Sequence, residues 1–313
     1  MQQICQALLG AERFYCDSLL SSRCAIAYLM ARGISAATAK AFRIGYAGES
    51  YKALSSMLDA SVGGRAGLLS VKGGIAYDRF VNRIMFPIRD AEGVLVGFAG
   101  RVIKESEDVF AKYVNSPETE VFKKGKILYA LDKADSNYEE LIVVEGFFDV
   151  LSMHQYGFSN AVGSMGTAIT RSQLQLLKQK TRRVVFCFDG DFAGAQAAKA
   201  SFNVVAPLLG DGFSVDYAFL PTGHDPNSLL EENGAAGMRQ CLDERMDFYD
   251  AVFKLFSDGE NLNIAEGRAR VLALVKPIGK ALKEKKTLCE VLQRSLRMDG
   301  EEVYEYMDAD LSN

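Results

Sequence analysis

Three short apolar runs, each broken off by carboxylates, constrain this chain more than any other feature. Leu141–Val144 ends in Glu145 with Asp149 close behind, Val184–Phe188 ends in Asp189 and Asp191, and Val215–Leu220 is followed by Asp225 in PTGHDPN. Short runs rich in Val and Phe suit strands buried on both faces of a parallel sheet. In open α/β sheets, ligands gather at the carboxyl ends of the strands. Three acidic clusters at three such ends would meet in one negative pocket, and negative charge that dense calls for a divalent cation.

With 313 residues the chain can hold two or three units with real cores. No apolar run approaches the ~18 residues of a membrane span, and MQQICQALLGAERF lacks the layout of a secretory signal. Six cysteines stand singly at 5, 16, 24, 187, 241 and 289, without a CxxC, and the only histidines are His154 and His224. Neither a zinc site nor a disulfide framework is expected, and the expected compartment is the reducing cytoplasm, with no membrane partner. The net charge of −4 conceals an asymmetry. Residues 1–135 carry 18 Lys/Arg against 14 Asp/Glu, or +4, and residues 136–313 carry 18 against 26, or −8. A mildly basic part followed by an acidic one suits an anionic polymer held beside a metal-loaded acidic site.

The pattern along the chain predicts an α/β protein, α+β overall. Residues 1–135 read as a mixed α+β subdomain with a basic, nucleic-acid-facing surface. Its first 48 residues are helical: Cys24–Arg32 is periodic, Gly33 stands at a C′ position, and Ser35 caps a second short helix that Gly45 ends. Two helices about a glycine turn fit a plain packing unit or a helix-turn-helix reader, the former being commoner. Residues 62–135 read as β-rich, with RIMFPIRD and GVLVGFAGR forming a hairpin about Ala91–Gly93 and a polar loop at Lys104–Asp108. Residues 136–238 alternate strand and helix: strand 141–145, helix 147–156, strand 160–162, helix 170–180, strand 184–188, helix 193–209, strand 215–220. That order implies right-handed crossovers and a parallel sheet. Residues 239–313 read as a helical subdomain punctuated by Pro277 and Gly300.

Each acid alone says little, since a Glu at a strand end is commonly a cap and DGD is an ordinary turn. The ordered set says more. E-G-x-x-D, then G-S-x-G-T, then D-x-D, then D-P-N, each after a strand, resembles a TOPRIM domain, the fold shared by bacterial primases, type IA and type II topoisomerases and some nucleases. Upstream, DRFVNRIMFPIRDAEGVLVGFAGRVI and KYVNSPETEVFKKGKILYAL resemble the core of DnaG-type bacterial primases in order and spacing. FYCDSLL and AIAYLMARGISAATAKAFRIGYA resemble the start of that polymerase region. The resemblance spans about residues 10–300 and is most specific over 78–230.

The resemblance implies a primase catalytic core that makes short RNA primers on single-stranded DNA from ribonucleoside triphosphates. Joining nucleotides is in-line phosphoryl transfer, in which metals neutralise charge and orient the attacking oxygen. The implied catalytic acids are Glu145, Asp189 and Asp191. The implied Mg²⁺ (or Mn²⁺) set adds Asp225, a supporting Asp149, and Asn227 where the family usually has Asp. Glu145 is either a metal ligand or a general base. Asn227 either lends its amide oxygen to the metal or only caps a helix beginning near Ser228.

Arg83, Arg101, Lys112 and Lys124 match basic positions that would contact template or triphosphate, with Tyr113 and Asn115 against a nucleotide. Read without the resemblance, these side chains merely solvate the rim of a β subdomain. Gly163–Thr167 either offers backbone N–H groups to phosphate or forms a plain turn. Two parts usual in the family are missing: a Cys/His zinc-ribbon and a C-terminal helicase-binding domain. The resemblance therefore implies an excised core or a reduced primase that meets the replicative helicase through a missing or separate domain. The alternatives are a TOPRIM-type nuclease and a non-catalytic module that recruits single-stranded DNA or helicase.

Overall fold

An apolar stripe at three- and four-residue spacing (Ile4, Ala7, Leu8, Ala11, Tyr15, Leu19) makes Gln2–Ser21 a helix with one buried face, α1. It opens a computed structural model that describes residues 1–104, 111–134, 139–166 and 168–309. All of the polar loop expected at Lys104–Asp108 except Lys104 lies outside these residues. The chain divides into one unit of Met1–Ala134 with Gly146–Met165, and another of Asp135–Glu145 with Gly166–Asn313.

In the first unit, α2 (Arg23–Ala31) and α3 (Ala36–Ala41) flank Gly33, which takes a left-handed φ of +69°, and the Ser35 hydroxyl accepts from the Thr38 N–H to start α3. The α3 helix ends at Ala41. Gly45, expected to stop it, lies instead in strand β1 (Gly45–Tyr46), pressed so close to α1 that a Cβ would fall 2.5 Å from that of Tyr15. Thr38 and Ala39 of α3 are buried, and the Thr38 hydroxyl donates to Gln155, so this helix pair is a packing unit.

After α4 (Ala60–Arg65) come the hairpin β2 (Leu69–Lys72) and β3 (Ile75–Asp78), then β4 (Arg83–Arg89), β5 (Leu95–Val102) and β6 (Tyr113–Asn115). The expected β4–β5 hairpin is present, with Pro87 opposite Phe98. Its turn closes on Asp90, whose carboxylate accepts from the N–H groups of Glu92 and Val94, and on Gly93 at φ +84°. The sheet order is β1-β4-β5-β6. The stripe of α1 packs with Met85, Leu95 and Phe98 into one core, and buried Glu12 is neutralised there by Arg43 and Arg89.

The chain enters the second unit with β7 (Glu140–Val144), returns to the first for α5 (Phe147–Gln155) and β8 (Ala161–Gly163), then stays in the second. There follow α6 (Arg171–Lys180), β9 (Arg183–Phe188), α7 (Phe192–Val205), β10 (Ser214–Phe219), α8 (Pro226–Asp243), β11 (Met246–Asp247), α9 (Phe248–Ser257), α10 (Ala265–Ala281), α11 (Lys286–Leu296) and α12 (Gly300–Asp308). Within this unit the strands run β11-β10-β9-β7. Strand β9 is parallel to both neighbours, as its buried Val184–Phe188 run requires. Phe202 of α7 and Phe248 of α9 pack edge to face, and the Tyr217 hydroxyl meets Ser201 at 2.9 Å.

Two expectations for this unit change and one holds. Pro277 does not break the helix: buried Val271, Leu272, Val275 and Ile278 hold α10 together around it. Gly300 does mark a break: α11 ends at Leu296 and Gly300 starts α12, with Asp299 accepting from the N–H groups of Glu301 and Glu302 as its cap. The helix expected over 193–209 ends at Val205 and passes into a 3₁₀ turn, Ala206–Leu208, that carries Pro207.

Candidate active site

Parallel register brings the acidic ends together in the second unit. Val143 is level with Phe186, and Phe188 with Phe219, so the carboxyl ends of β7, β9 and β10 lie side by side. Glu145 leaves β7 there, and its carboxylate accepts the backbone N–H of Asp189. Burial raises the Glu145 carboxyl above its ordinary range; the Asp189 N–H opposes the shift, and the charge of Asp191 adds to it. One of its oxygens, Oε1, is buried with no hydrogen-bond partner.

The other two loops are fixed by helix starts. Asp191 is the N-cap of α7, its Oδ1 accepting the Gly194 N–H at 2.7 Å. Asp225 caps α8 through the Ser228 N–H at 2.7 Å, the Ser228 hydroxyl answers the Asp225 N–H at 3.0 Å, and Pro226 occupies the first helical position. Each cap engages one carboxylate oxygen and leaves the second unused by the helix. The loops are also laced to each other, since the Gly190 N–H donates to the His224 carbonyl and the Gly223 N–H to the Gly190 carbonyl. Only glycine fits at 190, where a Cβ would lie 2.0 Å from the Pro221 oxygen.

Asn227, the second residue of α8, is buried, and its amide donates to Glu231 at 3.3 Å. Of the two readings of Asn227, the cap of α8 belongs instead to Asp225. Asp149 lies in the first unit, where its carboxylate accepts the Gly146 N–H at 2.8 Å and completes the first turn of α5.

Among the described residues, no three His, Cys, Asp or Glu side chains stand close enough to enclose an ion by themselves. The donors at the strand ends are oxygens: the buried, unpartnered Oε1 of Glu145, the carboxylate of Asp189, and the second oxygens of Asp191 and Asp225. That set fits a hard cation such as Mg²⁺, which takes one or two carboxylates and fills its shell with water and phosphate oxygens.

The candidate nucleotide contacts lie in the first unit. Buried Arg101 donates from Nε to the Tyr28 hydroxyl at 2.6 Å, and its guanidinium sits 4.9 Å from the centre of the Tyr113 ring, which stacks on Phe147. Burial would lower the Arg101 pKa, but Tyr113 and Tyr28 outweigh it and the net shift is upward. Tyr113 is pushed up to about 12 by burial, against the pull of Arg101.

Arg83 points inward, donating to the carbonyls of Gly100, Ala111 and Lys112, and burial lowers its pKa. Lys112 is exposed, while Lys124 is half-buried and lowered by that burial. The Asn115 Oδ1 is buried without a hydrogen-bond partner. In the glycine loop, the Gly163 N–H meets the Tyr129 carbonyl and the Gly166 N–H meets the Glu145 carbonyl, so neither is left for phosphate; Thr167 lies outside the described residues.

Tyr28 went unnoticed in the sequence, because nothing local ties it to an arginine 73 positions away. A cavity of about 950 Å³ opens at the opposite, amino ends of β7, β9 and β10, lined by Glu140, Lys180, Arg182, Arg183, Ser214 and Arg245 among others. It holds none of the strand-end acids, and its Arg245 is already paired with Glu140 and Asp216.

The family model for the DNA primase catalytic core, N-terminal domain, matches residues 14–135, and a Toprim-like model matches residues 142–230. A DNA primase of Legionella pneumophila is 38% identical over 259 residues, covering 81% of this chain and 45% of that protein. The DNA primase of Escherichia coli K12 is 36% identical over 293 residues, covering 88% and 49%. The chain thus spans about half the length of the curated relatives it matches. Among solved structures, a DNA primase domain from Pseudomonas aeruginosa is 33% identical with a TM-score of 0.90, covering 98% of this chain and 100% of that one. A DnaG primase catalytic domain bound to single-stranded DNA is 33% identical with a TM-score of 0.86, covering 96% and 98%.

Proposed function

The chain belongs to the family of DnaG-type primase catalytic cores, and from that premise we propose that it joins ribonucleotides into short RNA primers on single-stranded DNA. The observation that carries this reading is the oxygen donor set at three adjoining strand ends, with the buried Oε1 of Glu145 lacking any partner. Glu145, Asp189, Asp191 and Asp225 would hold Mg²⁺, or Mn²⁺ in its place, one or two of them directly and the others through water. Asn227 would lend an amide oxygen, and Asp149 braces the turn that follows Glu145. Bound there, the metal supplies charge neutralisation for the triphosphate and orientation for the attacking 3′-oxygen.

The chain's own groups prepare the site. The caps of α7 and α8 hold Asp191 and Asp225 in place before substrate arrives, and the Asp189 N–H holds Glu145. Lys112 and Lys124 offer charge to phosphates, and Arg101, steadied by Tyr28 and Tyr113, presents a fixed guanidinium. Tyr113 and Asn115 face a nucleotide. Arg83 acts at one remove, holding the carbonyls at Ala111 and Lys112 and with them the start of β6. The related catalytic domain solved with single-stranded DNA supports DNA as the template. Among the described residues no helix is long and apolar enough to cross a membrane. The proposed place of work is the bacterial cytoplasm at the replication fork, with helicase contact through a separate domain.

The test is synthesis from labelled ribonucleotides on single-stranded templates, with and without Mg²⁺ or Mn²⁺. Metal-dependent short RNA products are expected. DNA cleavage without nucleotides would identify a nuclease instead, and template binding without either reaction a recruitment module.

A further inference from the structure

Phe192 is the first residue of α7, and 79% of its surface is exposed. Isolated exposed apolar side chains are ordinary, but the position of this one is not. It directly follows Asp191, whose carboxylate caps the helix at Gly194, and Gly190 before it is tied to the His224 carbonyl. The ring therefore projects into water from a backbone fixed on both sides, beside the candidate metal acids. Among the described residues it has no ring or cation partner.

We propose that Phe192 is a nucleobase platform, its ring stacking on the base of a nucleotide whose phosphate would be held through a divalent cation at the neighbouring carboxylates. A cation held by carboxylates would recognise only phosphate, which every nucleotide carries and which says nothing of the base. A flat apolar ring adds affinity for any base, because every base has a π-face and stacking takes both surfaces out of water. Tolerance of sequence is what copying an arbitrary template requires. The inference rests on the proposed polymerising role of the site and goes beyond it by naming the residue that holds the base. The base belongs either to the incoming ribonucleotide or to the template.

The chain contains no tryptophan, so Phe192→Trp introduces a single fluorescent reporter where the stack would form. With Mg²⁺ present it is titrated with a ribonucleoside triphosphate, with single-stranded DNA, and with two baseless counterparts, tripolyphosphate and an abasic oligonucleotide of equal length. Quenching by a base-bearing ligand well beyond that by its baseless counterpart supports the proposal. Quenching by the triphosphate assigns the stack to the incoming ribonucleotide, and quenching by the oligonucleotide alone assigns it to the template. Equal quenching by base-bearing and baseless ligands, or none at all, overturns it.

In primer synthesis, Phe192→Ala should raise the KM of the assigned ligand about tenfold, the range of one lost base–aromatic stack, with the loss falling mainly on KM and with Phe192→Tyr restoring it. An unchanged KM in Phe192→Ala also overturns the proposal. If wild type makes primers but the reporter sees no base, the platform fails and the primase reading stands. If the reporter sees the base and no primers form, the platform stands and the primase reading fails.

Discussion

The two units hold their candidate functional side chains by different means. In the second, backbone does the holding: the Asp189 N–H takes Glu145, and the first turns of α7 and α8 take Asp191 and Asp225. In the first, side chains hold one another: Tyr28 takes Arg101, Arg101 lies over Tyr113, and Tyr113 lies on Phe147. Backbone donors come with the fold and survive most substitutions nearby. A chain of side chains fails wherever one member is changed, and its members are far apart in sequence. The difference teaches that the acidic end should tolerate changes of shape but not of charge, whereas the arginine cluster should fail on loss of any one of its side-chain contacts.

The largest expected effect lies at the acids. Glu145→Gln and Asp189→Asn preserve shape and remove charge, and each should reduce nucleotide incorporation by about a thousandfold or more while circular dichroism stays unchanged, since metal charge stabilisation is worth several kcal/mol. Near-normal synthesis by either folded variant would break the comparison at its root. Next comes Tyr28→Phe, which keeps the ring but takes away the acceptor of the Arg101 Nε. A hydrogen bond to a charged group of this kind is worth about 1.5–3 kcal/mol, so denaturant midpoint and template affinity should both fall. If neither moves, Arg101 does not depend on Tyr28.

Asn227→Asp tests the acidic end by adding charge. One more carboxylate among the acids is worth about 1–4 kcal/mol to a cation, depending on the effective dielectric, and loss of the amide donor to Glu231 offsets part of this. The half-saturating Mg²⁺ concentration should fall about tenfold. Coincident titrations for wild type and variant would confine Asn227 to a structural role in α8. Smaller still is the split between Asp225→Ser, which keeps a capping oxygen, and Asp225→Ala, which does not. Both should lose synthesis, but only Asp225→Ala should lose about 1 kcal/mol of stability. Equal melting of the two would remove the cap from the account.

The smallest effect is one of pH, and it belongs to the first unit. Burial lowers the His154 pKa, partly opposed by the bond between Nε2 and the Ala161 carbonyl, while Lys133 lowers it further. A lowered folded-state pKa means that the unfolded chain binds the proton first. The contribution of His154 to stability is therefore whole above its ordinary pKa near 6.5 and drains away as pH falls through the lowered value. His154→Gln can keep an N–H donor without titrating, so its denaturation midpoint should change less than that of wild type between pH 7 and 5. Parallel pH curves would show that His154 is not responsible.

How much could be read beforehand follows the same division. The strands at 141, 184 and 215 were legible because their cues are local, buried Val and Phe runs, and so were the starts of α7 and α8, where Asp191 and Asp225 each accept a helical N–H three residues on. The acids were legible for the same reason. Arg83 and Arg101 could be picked out as charges but not placed, since whether a guanidinium faces carbonyls, a tyrosine or water depends on strands paired across long stretches of chain. Pro277 reads as punctuation because proline lacks the N–H an interior turn uses, yet buried Val275 and Ile278 hold α10 together around it. Phe192 gave no signal at all, since exposure is not a property of a sequence.

The sequence by itself thus determined which residues are acids, where the strands end, and that three clusters fall at such ends, because helix caps, strand periodicity and turn chemistry act within a few residues. Tertiary structure alone decided that β7, β9 and β10 lie side by side in parallel register, that one oxygen of Glu145 is buried without a partner, and that Arg83 turns inward onto the carbonyls of Gly100, Ala111 and Lys112. Burial and the competition among partners for one donor are set by groups distant in the chain, and only the folded packing brings them within reach.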